Sequence, residues 1–331
     1  MTLHSPGTAL VTSLVEDATT APSMHNAQPW RFLHRVAGDT IEVYADPARS
    51  MPRADPRHRA LHLGVGAAVF NLRVGAAWRG WSASVRPLPD AENPWFLAEV
   101  TLRRATDPGE SDDLAALRPA LWRRHTSRHP FSDERIPDAI LDRLRSAALL
   151  EGAHLLLPGP WHTDTLRGLV HDAELSEAMD AALRAEITNW TRLQDRRGDG
   201  PADGIPSYAF GPRQHGVSAP VRDFDMPRRV TGRSTADFEQ RPQIVILGTA
   251  DDRPLDWLRA GQAMQRVLLQ ATFDGLATSP ISQPLEWPEL RETARDPRSA
   301  MGFVQMLIRL GYGPVGEATP RRPVADVLNL V

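Results

Sequence analysis

Apolar residues along this chain alternate between helix-like and strand-like spacing, and the switches between the two divide it into elements. Residues 8–20 read as a short helix. RFLHRV (31–36) and TIEVYAD (40–46) are β-like runs joined by Ala37-Gly38-Asp39, a hairpin signal. From Arg57 to Trp78 the composition is helical. Its small residues Gly64, Ala67, Ala68, Gly75 and Ala76 predict a helix packed closely on its neighbours. WSASVRP (81–87) and WFLAEVTLRR (95–104) complete a first sheet, and DPGESDD (107–113) is a linker-like break.

A second unit follows. Asp112–Arg123 and Pro137–Leu150 read as helices, the latter with Ile140, Leu141, Leu144 and Ala148 at helical spacing. AHLLLP (153–158) is a strand, and Trp161–Trp190 is long and helical. Residues 196–229 then carry many Gly and Pro with no sustained period, the signature of a lid or a disordered insertion. QIVILGT (243–249) is a buried strand, Pro254–Gly275 a second long helix, and FVQMLIRLGYG (303–313) a last strand. The halves echo each other. Aligning Gly66 with Gly261 also pairs Ala68 with Ala263, Ala76 with Ala271, Trp78 with Phe273 and Gly80 with Gly275, as in a duplicated unit.

Composition narrows the chemistry more than the fold. A length of 331 residues suits about two domain-sized units. The formal charge of −3 gives no overall attraction to nucleic acid or an anionic membrane. No apolar run approaches the ~20 residues of a bilayer span, and no signal peptide is read, so a cytoplasmic protein is expected. Cysteine is absent, which excludes disulfides, thiolate nucleophiles and Cys-type metal sites. All 38 basic residues are arginine. Without lysine there is no Walker lysine, Schiff base or lysine general base, so a bound phosphate must be held by arginine and backbone N–H groups.

Several motifs fail on context. GYGPVG (311–316) matches G-x-G-x-x-G, but Pro314 interrupts it and the chain ends before a crossover helix and ribose-binding acid. GVGAAV (64–69) sits inside a helical pattern with no strand before it. His58/His62 and His125/His129 have i, i+4 spacing but no evident third ligand, so no metal is expected. There is no G-x-S-x-G elbow. Three stretches remain. RRHTSRHP (123–130) is either a solvated basic loop or an anion cradle of two guanidinium forks with hydroxyl and backbone donors between them. Arg321-Arg322 is a second basic pair. APSMHNAQPWRF (21–32) gathers Ser23, His25, Asn26 and Gln28 just before a strand, either as a plain polar loop or as donors and acceptors for a ligand.

Taken together, these segments resemble the FMN-dependent nitroreductase superfamily, and the resemblance spans nearly the whole chain. The residues that carry it are Pro22-Ser23-Met24-His25-Asn26-Ala27-Gln28-Pro29-Trp30, Arg124-His125-Thr126-Ser127-Arg128, GLATSPISQPLE (275–286) and Arg321-Arg322-Pro323. The order departs from the usual one. A typical member carries all the pieces in one chain of roughly two hundred residues and pairs as a homodimer. Here the Q-P-W motif precedes the Arg motif, and each half keeps what the other lacks. That arrangement resembles the actinobacterial Acg-type branch, in which two nitroreductase-like halves are fused. The resemblance implies an α+β fold of two tandem half-units, 1–110 and 111–331, each a mainly antiparallel sheet flanked by helices. They would form an intramolecular pseudo-dimer in a monomer, with 196–229 as a lid.

The resemblance also implies a cofactor and a site. FMN would be held once per chain, its phosphate by Arg124, Arg128, Arg321 and Arg322, with His125 and Thr126 in the same cradle. Ser23, His25, Asn26 and Gln28 would meet the ring edge, and Pro280, Ile281 and Ser282 would offer backbone donors towards its N5 region. Charge-assisted hydrogen bonds of ~1.5–3 kcal/mol each reach only the lower part of the ~4–15 kcal/mol cost of association, so the ring must be buried too. The expected activity is reduction of a small acceptor, a quinone or nitroaromatic, by NAD(P)H through a ping-pong route. The alternatives are a protein that holds FMN under a closed lid with little turnover, or a degenerate fold that serves as a scaffold.

Overall fold

The computed structural model describes residues 6–36, 38–106, 109, 112–193, 201–215, 221–225 and 230–331. The chain opens with α1 (Thr8–Thr19), then β1 (Trp30–His34), β2 (Thr40–Ala45), the long α2 (Arg59–Trp78), β3 (Trp81–Pro87) and β4 (Phe96–Arg104). Next come α3 (Asp112–Ala115), α4 (Arg118–Leu121), α5 (Asp138–Leu150), β5 (His154–Leu156), α6 (Pro160–Met179) and α7 (Ala181–Asn189). Four two-residue strands follow: β6 (Thr191–Arg192), β7 (Ile205–Pro206), β8 (Arg213–Gln214) and β9 (Thr235–Ala236). The chain closes with β10 (Gln243–Thr249), α8 (Pro254–Phe273), β11 (Ala277–Ile281), α9 (Pro288–Thr293), β12 (Phe303–Gly311), α10 (Val324–Val327) and β13 (Leu328–Leu330).

The fold is α+β, with two mainly antiparallel sheets flanked by helices. The first sheet has the order β13-β1-β2-β4-β3 and the second β11-β12-β10-β5. Apart from β13, the two orders are the same arrangement: β1-β2-β4-β3 corresponds to β5-β10-β12-β11. Alternating burial in β2 and β4 shows one wetted face, whereas β12 is buried at nearly every residue. The last strand lies in the first sheet, where β13 pairs in parallel with β1 in the register Phe32↔Leu328, Leu33↔Asn329 and His34↔Leu330. A division at residue 110 would assign those residues to the second unit.

Between the sheets, α2 and α8 cross at two glycines. A Cβ on Gly66 would fall 2.2 Å from the carbonyl oxygen of Leu258, and one on Gly261 would fall 2.2 Å from that of Leu63. The contacts are reciprocal, and the pairing of Gly66 with Gly261 that the sequence repeat suggests also pairs Leu63 with Leu258. Only residues without a side chain let the two backbones approach this closely. By length and composition α2 could cross a bilayer, yet 89% of its apolar window is buried inside the protein. It is a core helix, packed in a single apolar cluster that runs through both sheets.

Three elements differ from the sequence expectation. The helix expected over 112–123 is two short ones, because Pro119 has no N–H to continue α3. The helix expected over 161–190 breaks at Asp180, whose carboxylate accepts the Leu183 N–H at 2.9 Å and starts α7 anew. The lid expected over 196–229 falls partly outside the described residues. The described part, 201–215 and 221–225, contains β7 and β8 and packs Ile205, Phe210 and Phe224 into a small apolar cluster with Ala27 and Met51.

Candidate functional site

The segment 23–28 has an unusual backbone. His25, Asn26 and Gln28 have φ of 46°, 55° and 52°, in the left-handed region that costs a non-glycine residue ~1–2 kcal/mol. Side chains hold it there. Asn26 Nδ2 donates to the carbonyls of Gly204 and Pro320, each at 3.0 Å, and Oδ1 accepts from Arg321 Nη1 at 2.9 Å. Gln28 Nε2 donates to Ala202 O at 2.6 Å, and Oε1 accepts the Arg322 N–H at 2.8 Å. Ser23 Oγ accepts the Gln28 N–H at 2.9 Å. The expectation that Gln28 meets a ligand is therefore corrected. It is wholly buried, lines no cavity described here, and clamps 202 and 322 to the motif. Asn26 does reach a cavity, but its amide is committed to protein partners.

We call that cavity the anion pocket, after the three arginines that line it. It is lined by Ser23, His25, Asn26, Arg124, His125, Thr126, Arg128, Glu317, Thr319 and Arg321 among others. The Arg124 loop is fixed from two sides. Ser127 N–H donates to Thr278 O at 2.9 Å and Ser127 Oγ to Pro314 O at 2.7 Å. The glycines of GYGPVG pack against the same loop, since a Cβ on Gly316 would lie 2.0 Å from Thr126 O. Within the pocket Arg124 Nη2 and Arg321 Nη2 each donate to Thr20 O at 3.3 Å. Arg124 Nε and Nη1 and Arg321 Nε are buried without a hydrogen-bond partner among the described residues. Burial, with the Arg321 charge beside it, lowers Arg124 to about 9, and burial lowers Arg321 to about 10. His125 falls to about 4 through burial and the charges of Arg124 and Arg321. Two charged guanidiniums side by side, with spare donors and, among the described residues, no ion pair to a carboxylate, suit a dianionic phosphate, although Glu317 also lines the pocket.

Arg322 is not part of this pocket. Its guanidinium lies 4.0 Å from the Asp46 carboxylate and donates to Gln28 O at 3.4 Å, so its assignment to a phosphate is corrected. Arg128 sits at the seam, lining the anion pocket and an adjoining inner cavity. It donates to Ala209 O at 2.9 Å and lies 5.1 Å from the centre of the Phe224 ring. Burial, with Arg222 and Arg233 nearby, lowers it to about 10.

The inner cavity has an apolar floor and polar edges. Leu63 and Gly64 from α2, Met264 from α8 and Met306 from β12 meet Ser23, His25, Thr126 and the segment 279–283 there. Gly64 lets the Ser23 Cβ come within 3.3 Å of where its own Cβ would stand. Pro280, Ile281 and Ser282 all line it as the sequence suggests, but proline has no N–H and the Ile281 N–H faces Leu307 in the β11–β12 ladder, which leaves Ser282 to donate from the backbone. His25 stays neutral, its pKa held well below the usual value by burial and by Arg222 and Arg128.

Sequence reasoning missed the outer wall. Arg222 and Phe224, from the aperiodic stretch, cover the inner cavity. Phe224 meets the His25 ring edge-on at 5.6 Å. Arg222 Nη1 and Nη2 both bind the Glu286 carboxylate at 2.9 Å, and Nη2 also binds Glu177 at 2.9 Å. Burial opposes the charge of Arg222, but the two carboxylates outweigh it and raise its pKa. Nothing in a run of Gly, Pro and Arg marks these two residues. Gln283, one position beyond Pro280-Ile281-Ser282, also lines the cavity.

The equivalent place on the other side of the α2–α8 crossing has different residues. In the register that pairs Gly66 with Gly261, Gly64 corresponds to Arg259, whose Cδ lies 4.0 Å from the site of a Cβ on Gly152. Nearby, Glu151 binds Arg73 at 2.5 Å and Arg266 at 2.8 Å, so the cations there already have a carboxylate.

The Nitroreductase family model matches residues 121–312, which run from the Arg124 loop to the end of the second sheet. Among curated proteins, "Putative NAD(P)H nitroreductase Rv3131" of Mycobacterium tuberculosis is 31% identical over 99% of this chain and 94% of its own. The chain belongs to the nitroreductase family. A second nitroreductase relative from that organism, "Putative NAD(P)H nitroreductase acg", is 29% identical over 98% of this chain and 96% of its own. Of solved nitroreductases, one with bound FMN from Bacteroides fragilis aligns at 16% identity and a TM-score of 0.36, covering 62% of this chain and 92% of its own.

Proposed function

We propose that this chain binds one FMN and passes reducing equivalents from NAD(P)H to a small acceptor such as a quinone or nitroaromatic. One observation carries the reading: Arg124 and Arg321 are buried side by side with N–H donors that have no hydrogen-bond partner among the described residues. A phosphate held there would leave the ring the adjoining inner cavity. Bound there, the flavin would supply a two-electron carrier that needs neither lysine nor cysteine. Arg128 lines both cavities and would be a cation within reach of the phosphate and of the ring edge where negative charge gathers on reduction. Ser282 would offer a backbone donor, while Leu63, Met264 and Met306 would bury a ring face.

The same geometry supports an intramolecular pseudo-dimer with a single working site. The reciprocal glycine crossing and the matched strand orders relate the halves, and where one has Gly64 the other has Arg259, near arginines already paired with Glu151. Segment 221–225 supports the role of a lid. The inner cavity is about 110 Å³ and the anion pocket about 60 Å³. Pockets that bury drug-sized ligands run ~300–1,000 Å³, so seating a flavin requires Phe224 to swing outward. The buried Arg222 ion pairs that hold the lid favour a second reading, an FMN-holding protein with little turnover.

Anaerobic mixing of the FMN-loaded protein with NADH or NADPH separates the two. Rapid bleaching of the flavin is the expected result. A flavin that dithionite reduces and neither nicotinamide bleaches would overturn the enzyme reading and leave the holding protein.

A further inference from the structure

Gln283 is 3% exposed and lies in the wall between the inner cavity and a larger outer cavity of about 690 Å³. Its amide orientation is fixed. Nε2 donates to Glu177 Oε2 at 2.7 Å, and turning the amide over would set its oxygen against a carboxylate. The oxygen Oε1 therefore points elsewhere, and it has no partner among the described residues. A buried acceptor without a donor is costly unless something else supplies one.

Other polar side chains on that wall are committed. Ser282 Oγ donates to Glu286 Oε1 at 3.0 Å, and Arg222 is bound by Glu286 and Glu177. Two carboxylates hold the Arg222 guanidinium, so it is not free to serve as a donor to Gln283 Oε1. Apolar Phe224, Met264 and Met306 complete the surroundings.

We propose that Gln283 Oε1 is a specificity determinant, accepting a hydrogen bond from an aromatic ligand that carries a hydroxyl or N–H donor. This rests on the reading of the inner cavity as the flavin and acceptor site. A hydroxyl-bearing aromatic is thereby preferred over its methyl analogue of the same shape.

The test uses two redox-inert probes, 2-naphthol and 2-methylnaphthalene, titrated against the FMN-loaded protein and followed by quenching of flavin and tryptophan fluorescence. One good neutral hydrogen bond corresponds to a preference of about tenfold for 2-naphthol. Gln283→Leu is expected to abolish that preference. Glu177→Gln, which keeps an acceptor for Nε2, is expected to retain it. No preference in the unaltered protein, or one that survives in Gln283→Leu, overturns the proposal. So does an equal loss in both variants, which would reduce Gln283 to a prop for Glu177. FMN uptake is measured separately by absorbance. A chain that takes up no FMN overturns the flavin reading, while tryptophan quenching still decides the role of Gln283.

Discussion

Arg124 and Arg321 come from separate stretches of the chain and donate to one carbonyl oxygen, that of Thr20, each at 3.3 Å. Thr20 ends the first helix, Arg124 follows α4, and Arg321 lies just before the C-terminal strand. The anion pocket thus exists only when three distant segments are folded together. Like charges held this close and this dry are unfavourable until an anion arrives, so the pocket trades stability for binding.

Replacing either arginine by methionine is expected to act in opposite directions on the empty and loaded protein. Removing one of two facing charges should raise the melting temperature without FMN. It should also weaken FMN binding by ~10- to 150-fold, the loss of one charge-assisted bond of ~1.5–3 kcal/mol. Arg143→Ala, on an exposed pair with Asp274, should change neither. Apo and holo thermal melts with FMN titration check it, and equal effects of all three substitutions would contradict it.

Gly66→Ala or Gly261→Ala places a methyl group where a carbonyl oxygen stands 2.2 Å away. The two long helices must separate, at ~1–3 kcal/mol or more. Urea unfolding should show that loss, and the double variant should cost less than the sum because both methyls force the same separation. A change below about 0.5 kcal/mol, the size of ordinary surface substitutions, would mean the crossing is not tight.

The glycine crossing was legible in the sequence, through the echo between Arg57–Trp78 and Pro254–Gly275. So were most strands and both arginine-bearing stretches, because period and turn chemistry are local. What failed was non-local. The strand Leu328–Leu330 is three residues that become β only by lying beside β1. Asn26 and Gln28 looked like ligand donors, and a sequence does not say that Gly204, Ala202 and Arg322 use them instead. Arg222 and Phe224 had no pattern to mark them, since their places are set by Glu286 and His25.

His125 is expected to lower stability in acid. Its pKa falls from 6.5 to about 4 in the folded chain. The folded state therefore binds fewer protons than the unfolded one between those values, and its stabilising effect is present above 6.5 and lost as pH falls towards 4. His125→Asn should flatten the stability curve over that window, as measured by urea unfolding at a series of pH values. An unchanged slope would place His125 in water.

Glu174 acts in the other direction. Burial, with Glu177 and Asp223 nearby, raises it from 4.5 to about 7. The folded state holds an extra proton between those values, so its contribution is full below 4.5 and lost as pH rises through 7. Because Asp223 lies on segment 221–225, the loss should appear there as faster proteolysis or hydrogen exchange towards pH 7. Glu174→Gln should remove the pH dependence, and its persistence would contradict this placement.

The central claim is a single flavin site assembled from both halves of one chain, and FMN titration of the apo-protein at known chain concentration tests it most directly. The account requires saturation at one FMN per chain in a monomer, lost in the double variant Arg124→Met/Arg321→Met. Two FMN per chain, or saturation that survives that double variant, would contradict it.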